Sequence, residues 1–90
     1  MKQELLKAQK VLDEITKARD EYEIEYELEK ARMIFSAEVQ AMSNQTMRDA
    51  QTNILLEEKG MYRKMAELKS KARRAYYEWA TFKSLMEGNR

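Results

Sequence analysis

The sequence predicts an all-α fold in which two long helices pair as an antiparallel, coiled-coil-like hairpin that assembles into a homo-oligomer. Its 90 residues contain no proline and only two glycines. Charged residues make up 37% and hydrophobic residues 43%, a mixture typical of long helices. Apolar residues recur at spacings of three and four on both sides of one central break. We therefore expect residues 1–90 to form a single hairpin domain.

The first helix is expected over residues 4–42. Its apolar stripe begins at Leu5, Ala8, Leu12, Ile15, Ala18 and Tyr22. In the acidic run, residues 20–29, apolar residues alternate with acids as in a half-buried strand, but no glycine, proline or turn cluster bounds the run, so helix is favoured. We expect the stripe to shift sideways there, leaving Tyr22 and Tyr26 partly on a second face. It then continues at Ile24, Leu28, Ala31, Phe35, Val39 and Met42.

The periodic pattern stops at one place, the turn predicted over residues 43–46. Ser43, Asn44 and Thr46 have side chains that compete for nearby backbone amides and therefore favour turns and helix starts. A second helix is expected over residues 46–87. Gly60 either ends a short helix or lies inside a longer one at a cost of about 1 kcal/mol. We favour a continuous helix with a local weakness.

The second helix carries the most regular pattern in the chain. An unbroken heptad seam runs through Met61, Met65, Leu68, Ala72, Ala75, Trp79, Phe82 and Met86. Two helices cannot bury their seams and also the remaining tyrosines, so the sequence predicts self-association. The residues expected at the core or at oligomer contacts are Tyr62, Met65, Leu68, Tyr76, Trp79 and Phe82.

Composition argues against catalysis and against a metal site. The chain has neither cysteine nor histidine, which removes disulfides, thiolate metal sites and the commonest general base. We expect no enzymatic activity, no cofactor and no bound metal. The N-terminal residues are too densely charged for a secretory signal, and no apolar run approaches the ~18 residues of a membrane span. The expected location is the cytoplasm, with no membrane partner.

Charge is distributed unevenly along the chain. The formal net charge of +1 combines −3 over residues 1–42 with +4 over residues 43–90. Residues 63–83 contain seven cations and only two acids. The stretch KARRAYYEWATFK, residues 71–83, adds four aromatic rings to these cations.

This basic and aromatic stretch is the candidate nucleic-acid site. Tyr77 projects away from the seam, with Arg73 and Arg74 one turn earlier. One interpretation is a solvated face on which a guanidinium lies over the phenol ring. The other is a platform for single-stranded DNA, where cations follow the phosphates and a ring stacks on a base. The candidate contacts are Lys69, Lys71, Arg73, Arg74, Tyr77 and Lys83.

Two further expectations concern neighbouring charges. If the acidic run faces residues 60–69 in the hairpin, it would neutralise Arg63, Lys64 and Lys69. Arg48 lies in the first turn of the second helix, where a cation opposes the helix dipole. It either pairs with Asp49, contacts the last turn of the first helix, or makes a ligand or subunit contact at the hairpin tip.

The segment ARMIFSAEVQAMSNQTMRDAQTNILLEEKGMYRKMAELKSKARRAYYEWATFKSLMEG, residues 31–88, resembles a pattern known from small helical phage proteins. The pattern is a long helix, a Ser/Thr turn followed by an Arg-acid pair, and a second helix ending in an aromatic stretch. The pattern is similar to that of the recombination mediator proteins of tailed phages, the UvsY-like proteins, and the resemblance covers about residues 20–88. The resemblance implies that Ser43 and Thr46 form the turn, that Arg48 and Asp49 are the pair, and that Lys69, Lys71, Arg73 and Arg74 face DNA.

The resemblance also implies a function. Such mediators bind single-stranded DNA as oligomers and help to load a recombinase, so the expected partners are single-stranded DNA, further copies of the chain, and a recombinase or single-strand binding protein. The location would be the cytoplasm of an infected bacterial cell. The alternative is a coiled-coil scaffold or inhibitor that binds a protein partner and no nucleic acid.

Overall fold

The computed structural model describes residues 2–88, and its regular structure is helical throughout. The helices are α1 (Lys2–Ile34), α2 (Ala37–Gln40), α3 (Gln45–Glu58) and α4 (Met61–Gly88). No strand occurs among residues 2–88, so the all-α prediction is confirmed and the acidic run is helical. Over the same residues, none of the helices combines the length and the apolar character needed to cross a membrane.

The first helix ends earlier than predicted. The expected helix over residues 4–42 is interrupted after Ile34, because Ser36 takes over the local hydrogen bonds. The Ser36 hydroxyl donates to the Met33 carbonyl oxygen at 2.6 Å and accepts from the Val39 N–H at 3.4 Å. Gln40 Nε2 donates to the Ile34 carbonyl oxygen at 2.6 Å, which satisfies one acceptor exposed at the helix end. Ser36 thereby caps the short helix α2.

The central turn lies close to the predicted position. Asn44 is the N-cap of α3, and its side-chain oxygen accepts the Met47 N–H at 2.9 Å. The third helix therefore begins at Gln45, one residue before the predicted start, so Thr46 is helical and the prediction that it forms part of the turn is wrong.

Gly60 interrupts the predicted second helix. Its φ angle of +74° lies in the left-handed region, where a glycine avoids the Cβ clash that other residues meet. The Gly60 N–H donates to the Glu57 carbonyl oxygen at 2.9 Å, and α4 starts at the next residue. The expectation of a continuous helix over residues 46–87 is therefore wrong, since α3 ends at its C-cap Lys59 and Gly60 takes the left-handed position that follows the cap.

Gly60→Ala is expected to destabilise the chain by about 1–2 kcal/mol, because alanine is strained at a positive φ angle. Gly88→Ala is the matched control, since both positions have open space for a Cβ but only Gly60 has a positive φ angle. Urea unfolding followed by circular dichroism at 222 nm measures the difference. Equal midpoints for the two variants would show that Gly60 does not require the left-handed conformation.

The described residues form two compact units. Residues 2–20 and 67–88 form the terminal unit, which contains the first part of α1 and most of α4. Residues 21–66 form the central unit, which contains the rest of α1, all of α2 and α3, and the start of α4.

Burial in the terminal unit follows the heptad seam. Ala72 and Ala75 are buried, whereas Leu68, Trp79, Phe82 and Met86 are half-buried. The other positions from 67 to 88 are exposed, except for half-buried Ala80. On α1 the predicted stripe is also protected, at Leu5, Ala8, Leu12 and Ile15, but Ala18 is exposed.

The core of the central unit is small and well satisfied. Leu56 and Val39 are fully buried, and α2 packs against α3. Thr52 is the buried polar residue of this core, and its hydroxyl donates to the Arg48 carbonyl oxygen at 2.8 Å. That bond matters because an unsatisfied buried hydroxyl costs free energy.

The apolar stripe of α1 does not shift within the acidic run, which contradicts the prediction. Tyr22 is half-buried and Tyr26 is buried, whereas Ile24, Leu28 and Phe35 are 66%, 59% and 81% exposed. Ala31 is exposed as well, although the predicted positions Val39 and Met42 are protected. The reason is that the heptad from Leu5 continues in register through the tyrosines, whose rings bury as readily as aliphatic chains.

Two contacts in the central unit join distant parts of the sequence. Lys59 Nζ lies 2.6 Å from Glu29 Oε1, and Lys64 Nζ lies 4.5 Å from the centroid of the Tyr22 ring. As residue numbers rise along α1 they fall along the opposite segment, so residues 22–29 run antiparallel to residues 59–64.

The hydrogen bond from Lys59, aided by the charges of Lys59 and Arg32, lowers the pKa of Glu29. The stabilisation from this carboxylate is therefore lost as pH falls through the lowered pKa.

Candidate nucleic-acid interface

The six candidate residues on α4 are accessible. Lys69, Lys71, Arg73, Arg74, Tyr77 and Lys83, which we call the basic face, are all exposed. They are exposed because the heptad turns Leu68, Ala72 and Ala75 inwards and leaves the intervening positions outside. At ~1.5 Å per residue the basic face extends along roughly 20 Å of helix.

Among the described residues, no carboxylate pairs with a cation of the basic face. Within residues 2–88, no ion pair involves any of its five cations. By contrast, Arg63, which precedes them on the same helix, has Nη2 3.2 Å from Glu57 Oε1. Because no ion pair has to be broken before these ammonium and guanidinium groups bind a phosphate, the basic face is suited to an anion.

The acidic run does not neutralise the cations as expected. Arg63 pairs with Glu57 instead, and Lys64 lies over the Tyr22 ring. Lys69 has no ion pair in the described part of the chain. The run does neutralise Lys59, through Glu29, a pairing that the sequence did not suggest. Of the three expected neutralisations, those of Arg63 and Lys64 are corrected in their partners, and that of Lys69 is not found among the described residues.

Aromatic rings cluster at the C-terminal end of the basic face. The ring centroids of Tyr76 and Tyr77 lie 5.9 Å apart in an edge-on arrangement. Tyr76 also lies 5.9 Å from Trp79, and Lys83 Nζ lies 5.0 Å from the Trp79 ring centroid. Lys83 therefore contributes a cation next to an aromatic surface, a pairing that its spacing of four residues from Trp79 could have revealed.

Tyr77 keeps its ring accessible. The side chain is 61% exposed, and among the described residues no lysine or arginine lies over the ring. The interpretation in which Arg73 or Arg74 covers the phenol therefore does not describe this structure. An exposed ring with a free face can stack on an unpaired base of a single strand. A base inside a duplex is already stacked on its neighbours and leaves no free face for the ring.

Charge divides according to the compact units. The terminal unit has ten lysines and arginines against seven acids in residues 2–20 and 67–88, a balance of +3. The central unit has six against nine in residues 21–66, a balance of −3. The basic face thus belongs to a unit that is positive as a whole, which strengthens its attraction for a polyanion.

Arg48 has a structural contact at the turn. Its Nε donates to the Met42 carbonyl oxygen at 3.2 Å, so the guanidinium braces the turn before α3. The alternative pair with Asp49 does not form, since the Asp49 carboxylate accepts from Gln45 Nε2 at 2.7 Å. Arg48 is half-buried, and this placement favours a contact towards the preceding helix over a ligand contact.

The arrangement combines exposed cations, an exposed ring and a positive unit, and it offers contacts to an extended, flexible polyanion. Comparison with protein-family models, with curated proteins and with solved structures found no match for this chain. The functional conclusion therefore rests on the residues of the basic face and their surroundings.

Proposed function

We propose that this chain binds single-stranded DNA through the basic face and acts, without enzymatic activity, as a recombination mediator. In this proposal α1 pairs with α3 and α4 as an antiparallel hairpin, and the hairpins assemble into a homo-oligomer. The antiparallel contacts of the central unit and the unbroken seam of α4 support the hairpin.

One observation carries the proposal. Five exposed cations without ion pairs in the described residues share helix α4 with the exposed ring of Tyr77, which no cation of those residues covers. Cations follow the phosphates of a single strand, and a ring stacks on its bases irrespective of sequence. A purely structural helix surface gains nothing from leaving this many like charges unpaired, because they repel each other at helical spacing.

The mediator role adds partners to this binding activity. A mediator holds the strand on several copies of a small protein, so self-association multiplies weak contacts along one DNA molecule. The resemblance of about residues 20–88 to phage mediators suggests a recombinase, or a single-strand binding protein, as the further partner. The binding and assembly steps come first and can be tested with the chain alone.

Fluorescence anisotropy with labelled oligo-dT across a salt series tests the proposal. Two to five phosphate contacts, set by how many of the five cations an assembled copy leaves free, predict a slope of log K against log salt between about −1.4 and −3.5, at about 0.7 per contact on a single strand. A fully paired duplex of equal length should bind more weakly, since it offers no unstacked base. Absence of oligo-dT binding at ~50 mM salt, where such contacts are strong, would replace this proposal with the protein-binding scaffold.

A further inference from the structure

The C-terminal part of α1 has a second apolar face that nothing in the described structure covers. Ile24, Leu28 and Ala31 are spaced by four and three residues and so share one side of the helix, and Phe35 follows four residues later, just past its end; we call these four residues the outer stripe. All four are exposed, and Phe35 just after the helix is 81% exposed. The seam residues Tyr22, Tyr26 and Met33 fall about half a turn away on the protected side.

A helix that is apolar on opposite sides requires a partner on each side. The seam side is covered within the central unit, as the burial of Tyr26 and Met33 shows. The outer stripe instead exposes two aliphatic chains and a phenyl ring in succession, and exposed patches of this kind mark interaction sites. Single exposed apolar residues are common on protein surfaces, but a stripe in helical register is not a scattered set.

Charge selects the partner of the outer stripe. Residues 20–29 contain six acids and no cation, and the exposed Glu25 and Glu27 lie on either side of the stripe. Two copies pairing stripe against stripe would bring these acidic runs together, and like charges in contact are repelled. The partner surface must therefore be a helix that is both apolar and basic.

The chain itself supplies such a surface on α4. Lys69, Arg73, Tyr76, Ala80 and Lys83, which we call the basic stripe, are spaced by four, three, four and three residues. Tyr76 is 51% exposed and Ala80 half-buried, so an aromatic ring and a small residue lie between three cations. The ring and the alanine complement the aliphatic residues of the outer stripe, and the cations complement Glu25 and Glu27.

We propose that the outer stripe of one copy packs against the basic stripe of a second copy. This inference rests on the proposed homo-oligomer and specifies its contact surface. Because two different surfaces meet, the contact is heterologous and leads to a ring or an open filament unless it is reciprocated within a dimer. This contact takes Lys69, Arg73 and Lys83 of the basic face. Lys71, Arg74 and Tyr77 lie outside the basic stripe and stay available to a DNA strand, so two cations at about 0.7 each predict a salt slope of about −1.4 for the assembly.

Charge reversal on each stripe tests the proposal. Variant one carries Glu25→Lys with Glu27→Lys, and variant two carries Lys69→Glu with Arg73→Glu. Each variant presents two like-charged surfaces to itself, so multi-angle light scattering at tens of micromolar should give a mass near the 10.7 kDa of one chain. An equimolar mixture restores opposite charges at both contacts and should recover the oligomer formed by the parent.

Controls separate this contact from an effect of net charge and from a loss of folding. Glu38→Lys with Glu58→Lys makes the same charge change at exposed central-unit positions outside the stripe and should leave the oligomer intact. Circular dichroism verifies that each variant is helical, and Leu28→Gln with Phe35→Gln should dissociate the oligomer without a charge change. Reversed variants that keep the parent mass, or a mixture that stays dissociated, would overturn the contact.

A parent chain that is monomeric at these concentrations would overturn both the contact and the homo-oligomer. The proposed DNA binding would be judged separately, because the anisotropy of the parent with oligo-dT is measured regardless of its mass. A parent chain that is oligomeric but does not bind oligo-dT would overturn the DNA proposal and leave the stripe contact supported.

Discussion

Leu56→Ala is expected to cost about 2–5 kcal/mol of unfolding free energy, the range found when a buried leucine is truncated to alanine. Leu56 is fully buried in the central unit, where α2 packs against α3. Truncation removes transfer free energy and leaves a cavity that a small core of short helices can fill only by shifting. For a chain of this size each kcal/mol lowers the melting temperature by roughly 4–8 °C.

Thermal unfolding followed by circular dichroism measures this change, with parent and variant at equal concentration because self-association raises apparent stability. Ile54→Ala is the matched control, since Ile54 is on the same helix but 51% exposed. Its effect should stay within about 0.5 kcal/mol, as for surface substitutions in general. Similar melting temperatures for the two variants would mean that α3 does not bury Leu56 as described.

The sequence predicted the fold class and the seam of α4 because both depend on periodicity. Every seam position from Met61 to Met86 is buried or half-buried, and Ala80 is the one other protected residue of α4. A heptad without polar interruption leaves one arrangement that buries all of its apolar side chains. The central turn was predicted for a similarly local reason, since Asn44 caps the helix that follows it.

The periodic pattern gave wrong predictions at two places, the end of α1, which a single serine sets, and the acidic run, where a tyrosine is buried. Ser36 ends α1 through two hydrogen bonds of its hydroxyl, yet one serine without neighbouring glycine or proline is a weak signal in sequence. Within the acidic run, Ile24 and Leu28 are more hydrophobic than the tyrosines, and the prediction followed hydrophobicity. The structure buries Tyr26 because it continues the heptad, so register outweighed side-chain polarity.

For the candidate site, the sequence predicted accessibility but not pairing. Exposure of the basic face follows from its positions off the seam. Which cations are neutralised depends on contacts between distant segments, such as Lys59 with Glu29, and no spacing rule reveals those. The structure neutralises Lys59 and Arg63 in the central unit and leaves the five later cations unpaired in the described residues.

That division of charge connects assembly with binding. In the proposed oligomer, the balance of −3 in the central unit and +3 in the terminal unit would attract copies to each other, and it also leaves positive charge for a polyanion. Both effects weaken with salt, because exposed charges more than ~10 Å apart are screened at 0.1 M ionic strength. Oligomer mass and DNA affinity should therefore be measured at the same salt concentrations.

The DNA proposal leads to the second large effect, for Lys71→Ala combined with Arg74→Ala. Both residues are exposed members of the basic face and lie outside the seam and the basic stripe, so helicity and oligomer mass should be unchanged. Loss of two phosphate contacts makes the slope of log K against log salt shallower by about 1.4, or 0.7 per contact. Extrapolated from 1 M to 0.1 M salt, this corresponds to roughly 25-fold weaker binding, with little dependence on DNA sequence because phosphate contacts carry no base information.

Two comparisons isolate the contribution of the basic face. Tyr77→Ala should lose on the order of 1–3 kcal/mol through stacking and leave the salt slope nearly unchanged, because the ring carries no charge. Arg63→Ala with Lys64→Ala removes the same two charges earlier on α4, where Glu57 and the Tyr22 ring already hold these cations. This control should bind oligo-dT almost as the parent does. If it weakens binding as much as Lys71→Ala with Arg74→Ala, the DNA responds to net charge alone, and the basic face is not a specific binding surface.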